Sequence, residues 1–402
     1  MKLFYQIGIT LYNAIIYVAS FIGHTKARKW VHGRNNWETN LLKIKASQAT
    51  IWIHVASHGE GLMALPLIKK IIKETSYQIL LTFYSPSGFE NFNYKNKNLI
   101  KGYLPKDTKK NAKKLLEIVN PKALIFAKYD LWLNLINECS IQYVPVLLFS
   151  GKFHSKQWYF QFYGKWGLSI LKKINQILTL DHNSEKLLLD KGFENVKYLG
   201  DSRYDQVNTK EQNYINLTLN KPCVLLGSSW IKEEQLIFDL IEEIPNIQWI
   251  IAPHEVDTKR IQSITRLFKD KFILYSQLKN NTLEKNILII DQIGLLAELY
   301  SISDMALIGG GFSGELHNII EPAAKGNIIF YGPNYEEFPE AIEMINNGFA
   351  HSIQNKKDLK KWIIYYLENI SELKDKKNEA ISFSNSKKGV TDKIYQEVMK
   401  LI

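Results

Sequence analysis

Cysteine is nearly absent: Cys139 and Cys223 are the two in 402 residues. Two thiols cannot build a disulfide framework, and no CxxC pair offers a zinc ribbon or a thioredoxin-type site. The chain reads as one that folds in a reducing compartment. Its nine histidines are scattered and never form HExxH, so a metal site is not expected; no cofactor is expected either. Ser57 lacks a GxSxG context, which makes a serine hydrolase a poor fit. No RNP motif, zinc finger or unbroken basic helix is present, so no nucleic-acid partner is expected. Acidic residues are in deficit, 40 Asp+Glu against 51 Lys+Arg, for a net charge of +11. Either this is drift in a chain rich in Lys, Ile and Asn, or it is a surface for anionic lipid or a phosphorylated substrate. With 46% hydrophobic and 23% charged residues the composition is globular, which excludes long-range disorder and a collagen-like fibre. The length predicts two domains.

Charge is missing altogether from Leu3 to Ile22. At 1.5 Å per residue this stretch is about long enough to cross a ~30 Å hydrocarbon layer, although Gln6, Thr10, Asn13 and Ser20 interrupt it. Lys26, Arg28, Lys29 and Arg34 follow, which places that flank on the cytoplasmic side. Without a small-residue cleavage site, the segment reads as a retained anchor or interfacial helix. The alternative is a buried amphipathic helix of the first domain.

Beyond it, strand-like and helix-like stretches alternate. Strands are expected at 51–56, 78–83, 123–127, 143–149 and 176–180. Helices are expected at 62–73, after Ser85-Pro86, through 111–119 with Asp107 as cap, and at 130–137 and 156–173. The rhythm fades over the polar segment 206–220 and restarts. Strands follow at 223–227, 248–252, 287–290, 305–308 and 328–331, with helices at 232–243, 256–268 and 315–324. This is the βαβα pattern of parallel sheets covered on both faces. The reading is α/β, two facing Rossmann-like domains with a cleft between them. The divisions are an N-terminal helix 1–30, a first domain 31–205, a linker 206–220, a second domain 221–385 and a C-terminal helix 386–402 that packs back on the first domain.

Several residues stand where parallel sheets hold ligands, at strand ends. Glu60 follows a strand between Gly59 and Gly61. It is either a general base or a first-turn helix carboxylate. Gly309-Gly310-Gly311-Phe312-Ser313-Gly314 is either a phosphate loop, with Gly310 and Gly311 at its centre, or a turn of close backbone packing. It is neither GxGxxG nor a Walker sequence. After it, His317-Asn318 and Glu321-Pro322 share one helix face, where a carboxylate can accept from the cis hydroxyls of a ribose. His254 ends another strand, as a phosphate donor or as a plain helix-start residue. Gly227-Ser228-Ser229-Trp230 ends a third. Together they suit a nucleotide-activated donor.

In this order the motifs resemble the 3-deoxy-D-manno-octulosonic acid (Kdo) transferases. The matching pieces are Trp52–Glu60, Leu81–Gly88, Tyr103–Asp107, Lys128–Asn134, Gly200–Asp205, Ala252–Glu255, Gly309–Gly311 and His317–Pro322. The resemblance implies a GT-B glycosyltransferase with a membrane-associated N-terminal helix, on the cytoplasmic side of a Gram-negative inner membrane. It implies CMP-Kdo as donor and a phosphorylated, acylated lipid A precursor as acceptor, in lipopolysaccharide synthesis. By motif position Glu60 is the catalytic base, and Asp130 and Arg203 stabilise the transition state. Pro253, His254, Ile293, Gly294, Leu295, Asn318, Ile319, Ile320 and Glu321 contact CMP. The chain departs from the family at His58, where a small or apolar residue is usual. It also departs at Asp130, where Glu is usual, and at Arg203, where Lys is common. A GT-B transferase using a UDP-sugar and a non-catalytic nucleotide-sugar binder are the rival readings.

Overall fold

The computed structural model describes residues 2–41, 43–128, 131–207, 215, 217–278, 283 and 285–402. Asp130 and most of the expected linker, residues 208–214 and 216, lie outside the described residues. The chain forms two compact units. One comprises Met1–Gln206 with Gly389–Ile402, the other Val207–Lys388.

The first unit holds seven parallel strands. They are β1 Thr50–Val55, β2 Gln78–Phe83, β3 Leu99–Tyr103, β4 Pro121–Ala127, β5 Val146–Gly151, β6 Gln176–Thr179 and β7 Val196–Tyr198. Their order is β3-β2-β1-β4-β5-β6-β7, so chain direction across the sheet reverses between β1 and β4. Strands β1, β2 and β5 are buried at every position, as expected where helices cover both faces. Alternate side chains supply two cores. Trp52, Leu80, Leu124 and Phe126 point to one face. Ile51, Ile53, Leu81 and Ile125 point to the other, where the C-terminal helix Val390–Leu401 adds Val390, Ile394 and Val398. That helix is capped from far away in sequence: Gly389 N and Thr391 N donate to the Asp205 carboxylate at 2.7 and 2.6 Å.

The second unit repeats the plan with β8 Cys223–Ser229, β9 Gln248–Pro253, β10 Phe272–Leu274, β11 Ile287–Ile289, β12 Met305–Ile308, β13 Ile328–Tyr331 and β14 Ala350–Ser352. The order is β10-β11-β9-β8-β12-β13-β14, again all parallel. Direction reverses between β8 and β12, where Gly227 pairs with Ile308.

Four local expectations are corrected. Asp107 does not cap the helix that follows it. Thr108 caps Lys109–Val119, and the buried Asp107 carboxylate turns to the next helix, Leu133–Ile141. There it accepts from Asn134 N and Leu135 N, both at 3.0 Å, and from Tyr5 Oη at 2.7 Å. The expected helix 156–173 is two 3₁₀ turns, Trp158–Phe160 and Phe162–Gly164, before a helix at Lys165–Leu171. At Gly164 the chain folds back so closely that a Cβ would lie 2.1 Å from the Trp158 carbonyl oxygen. The expected helix 315–324 is helical at Ile320–Ala324, because the glycine turn runs on through Glu315. The helix expected from Leu62 begins at His58, where Ser57 supplies the cap.

Helix α1, Lys2–Phe21, is followed by α2, Thr25–Arg34. α1 is long and apolar enough to cross a membrane by length and composition. Its polar side faces the protein: Tyr5 reaches Asp107, Gln6 reaches Asn134 at 3.4 Å, and Asn13 is buried. Leu3, Phe4, Leu11, Ile15, Val18 and Phe21 face outward, each more than half exposed. An apolar face turned to solvent is the reverse of a core helix.

Candidate functional site

In the first unit, β1 ends in Ala56-Ser57 and the chain turns directly into helix His58–Glu74. Ser57 Oγ accepts from Glu60 N at 3.4 Å, while Glu60 Oε2 accepts from Ala56 N at 2.6 Å. The side chain therefore doubles back over the cap in the manner of a capping box, one residue further out. Glu60 is 8% exposed, and its carboxylate is held at the carboxyl end of β1, beside the topological switch point. The helix-cap geometry is thus real. It orients the carboxylate and leaves its chemistry open.

Arg203 sits in the 3₁₀ turn Ser202–Asp205, which packs against the start of the Glu60 helix. Gln206 Nε2 donates to Leu62 O there. The Arg203 guanidinium forks onto Asp201, with Nε at 2.9 Å and Nη2 at 2.6 Å from Oδ2. Burial pushes the Asp201 carboxyl up, but the charge and hydrogen bonds of Arg203, with Lys128 beside them, hold it below its ordinary value. Asp201 is thus an ionised anchor that fixes the plane of Arg203. Its hold on Arg203 was missed in the sequence. The only signal was its place two residues before Arg203.

Asp130 lies outside the described residues, yet the segment after it is pinned. Trp132 Nε1 donates to His54 Nε2 at 3.0 Å, and His54 Nδ1 meets Thr82 Oγ1 at 2.9 Å. With Nε2 accepting, the His54 proton is assigned to Nδ1. Trp52 Nε1 donates to the same Thr82 oxygen at 2.8 Å.

In the second unit a cavity of about 660 Å³ opens at the ends of β9 and β11. Pro253 and His254 line one side, and Ile293, Gly294 and Leu295 the other, with Ser228 from the end of β8. Two segments some forty residues apart thus meet in one pocket. His254 stacks on two further rings, Trp230 at 4.8 Å and His317 at 4.5 Å between centroids, which lie side by side 6.2 Å apart and nearly coplanar. Trp230 Nε1 donates to His317 Nε2 at 2.9 Å. Burial, reinforced by His254, lowers the His317 pKa to about 4, so its ring is neutral at pH 7. Through His317 the pocket is tied to Asn318, Ile319, Ile320 and Glu321, which are not among its lining residues. Asn318 is exposed and accepts from Ile320 N at 3.1 Å. Ile319 and Ile320 are buried, and Glu321 is half-buried in the first turn of its helix. The Trp230–His317 pairing was not foreseen, because the two residues stand 87 positions apart.

The glycine turn is held from within. Gly310 has φ +88°, and a Cβ there would lie 2.1 Å from the Glu315 carbonyl oxygen. A Cβ on Gly311 would lie 2.4 Å from Gly332 N. The Gly310 N–H is committed to Glu233 Oε1 at 3.1 Å, and Trp230 N to the other oxygen of that carboxylate. Glu233 is 1% exposed, and burial raises its pKa. Of the two readings of this turn, close backbone packing accounts for the glycines at 310 and 311. The tie from Glu233 to this turn was missed in the sequence. Beside it Glu234 accepts from Ser229 Oγ at 2.7 Å and from Arg260.

Residues 23–206 match the family described as 3-deoxy-D-manno-octulosonic-acid transferase (kdotransferase). Similar curated proteins include the bifunctional glycosyltransferase/methyltransferase of Fusobacterium nucleatum, 28% identical, with 85% of this chain and 58% of that protein covered. This chain therefore spans little more than half of that relative. The 3-deoxy-D-manno-octulosonic acid transferase of Chlamydophila psittaci is 22% identical, with 98% and 96% covered. Among solved structures, UDP-GlcNAc 2-epimerase from Neisseria meningitidis superposes with a TM-score of 0.62 at 14% identity. That match covers 88% of this chain and all of the other, and it shows a shared GT-B-like fold of two parallel-sheet α/β domains. The family match over residues 23–206 and relatives of the same name along most of the chain make this protein similar to the Kdo transferases, and together they support a glycosyltransferase of that kind.

Proposed function

We propose that the protein moves Kdo from CMP-Kdo to a phosphorylated lipid A precursor in lipopolysaccharide synthesis. The observation that carries the donor half is the second-unit pocket, in which Pro253, His254, Ile293, Gly294 and Leu295 converge. In this reading the cytidine monophosphate sits there. Glu321 accepts from the ribose hydroxyls, and Asn318 and Ile319 offer the amides ahead of the helix, where Ile320 N is held by the Asn318 side chain. Glu233 holds the Gly310–Gly311 turn that backs the phosphate.

The acceptor half belongs to the first unit. Glu60 takes the proton of a primary hydroxyl on the acceptor sugar, and that oxygen bonds to the anomeric carbon of Kdo. The anomeric C–O bond to phosphate breaks with its electron pair leaving on CMP, so the anomeric centre inverts. Arg203, forked on Asp201, and the Asp130 position serve the charge that develops in the transition state. The exposed apolar face of α1 and the basic residues after it keep the enzyme at the membrane surface, on the cytoplasmic side.

The test is incubation with CMP-Kdo and lipid A precursor, with mass spectrometry of the product. Addition of Kdo, inhibited by CMP and not by UDP, is the expected result. Inhibition by UDP alone would assign a UDP-sugar transferase instead. Tight CMP binding with no turnover would make the protein a binder.

A further inference from the structure

Between α1, α2 and the loop after β2 lies a second cavity, of about 350 Å³, in the first unit. Its walls are Tyr12, Ile16 and Ala19 of α1, Ala27 and Trp30 of α2, and Tyr84. The wall is built rather than incidental. The Arg34 guanidinium lies 4.0 Å from the Trp30 ring centroid and 4.8 Å from that of Tyr84. It donates to Tyr84 O at 2.7 Å and Leu104 O at 2.8 Å. Burial lowers the Arg34 pKa only to about 10, so the clamp stays charged at neutral pH. Trp30 is 5% exposed and packs edge-on against Tyr84, with ring centroids 5.9 Å apart.

We propose that this slot receives an acyl chain of the lipid acceptor and so selects acylated over bare sugar. The proposal rests on the reading that the acceptor is a lipid. Three observations select an acyl chain as occupant. The slot is small and its lining mostly apolar, at the low end of the volume range for small-molecule sites. Ile15 lines it and also belongs to the outward apolar face of α1 with Leu11 and Val18, so the slot is continuous with the surface that meets a bilayer. The exposed His24 and Lys26 at the same cavity suit an anionic headgroup.

The slot also points the lipid at the chemistry. Tyr84 N donates to Val55 O at 3.2 Å and Ser85 N to Ala56 O at 2.8 Å. Ala56 N is the donor that holds Glu60. A chain seated against Tyr84 thereby delivers its sugar to the strand end that carries the proposed base.

Two experiments test this in detergent micelles with the full chain. In the first, transfer is measured to a phosphorylated glucosamine disaccharide, acylated or fully deacylated. The wild type is expected to show a KM at least about tenfold lower for the acylated form. Ala19→Trp and Ile16→Trp, which fill the slot, are expected to raise that KM with kcat spared. Equal KM values for the two acceptors in the wild type overturn the proposal. In the second, a glucosamine phosphate lipid with a bromine-labelled acyl chain is titrated against wild type and Trp30→Phe, reading tryptophan fluorescence. A quenched component that Trp30→Phe lacks supports the slot, and it does so whether or not the enzyme turns over CMP-Kdo. Identical quenching in both proteins overturns it. So does equal quenching of Trp30 by a brominated phosphatidylglycerol, which would make the slot a contact for bulk lipid.

Discussion

Glu60 shows how one residue can serve a cap and a reaction. Its Oε2 is tied to Ala56 N and its own amide to Ser57 Oγ, so Glu60→Gln can keep much of the local geometry while losing the ability to take a proton. The expected outcome is a loss of about 10²–10⁴ in kcat with CMP affinity unchanged by calorimetry. A variant with near-full turnover would reduce Glu60 to a cap. His317 carries the second residue-scale prediction. In the unfolded chain its imidazole takes a proton near 6.5, and in the folded protein only near 4. Between those values the unfolded state binds more protons, so stability falls as pH falls through this window and is regained above it. Proton NMR should find the His317 ring neutral at pH 5.5, with the unfolding midpoint dropping from pH 6.5 to 4. A His317→Asn variant should lose that part of the pH slope.

At the scale of elements, single side chains fasten segments that are remote in sequence. Asp107 ties α1 to helix Leu133–Ile141 by accepting from Tyr5 Oη, Asn134 N and Leu135 N. Asp107→Ala removes a carboxylate that satisfies two buried helix-end amides. Such a loss costs about 2–3 kcal/mol, to be read as a lower midpoint in urea. An unchanged midpoint would mean that water replaces the cap. Asp205 does the same for the C-terminal helix and Glu233 for the glycine turn. In each case an acidic residue in a loop or first helical turn accepts from backbone N–H groups, and an element's place follows from one carboxylate.

At the scale of the whole molecule, α1 presents its polar side to the first unit and its apolar side outward. Deleting residues 1–22 removes that outward surface and few core contacts. The truncated protein is expected to stay in the supernatant when sedimented with anionic vesicles and to keep its CMP affinity, while the full chain pellets. Aggregation of the truncated form, with the full chain released by salt alone, would instead mark α1 as a core helix.

The sequence by itself determined the two sheets and most central strands, because strands buried on both faces must be continuous apolar runs. Gln78–Phe83, Met305–Ile308 and Ile328–Tyr331 fall where the pattern placed them. Edge strands escaped it: β3 reads Leu-Ile-Lys-Gly-Tyr and β7 has three residues, too short and too polar for a periodic signal. The family motifs were legible as words, and Glu60, Arg203 and His254 could be picked from them. What only the tertiary structure decided is whom each of them touches. Asp201 under Arg203, Trp230 against His317 and Glu233 beneath Gly310 are partners brought together by chain crossovers. Periodicity reports which way a side chain faces along its own element. Which remote group it meets there depends on strand order and on how closely neighbouring turns approach.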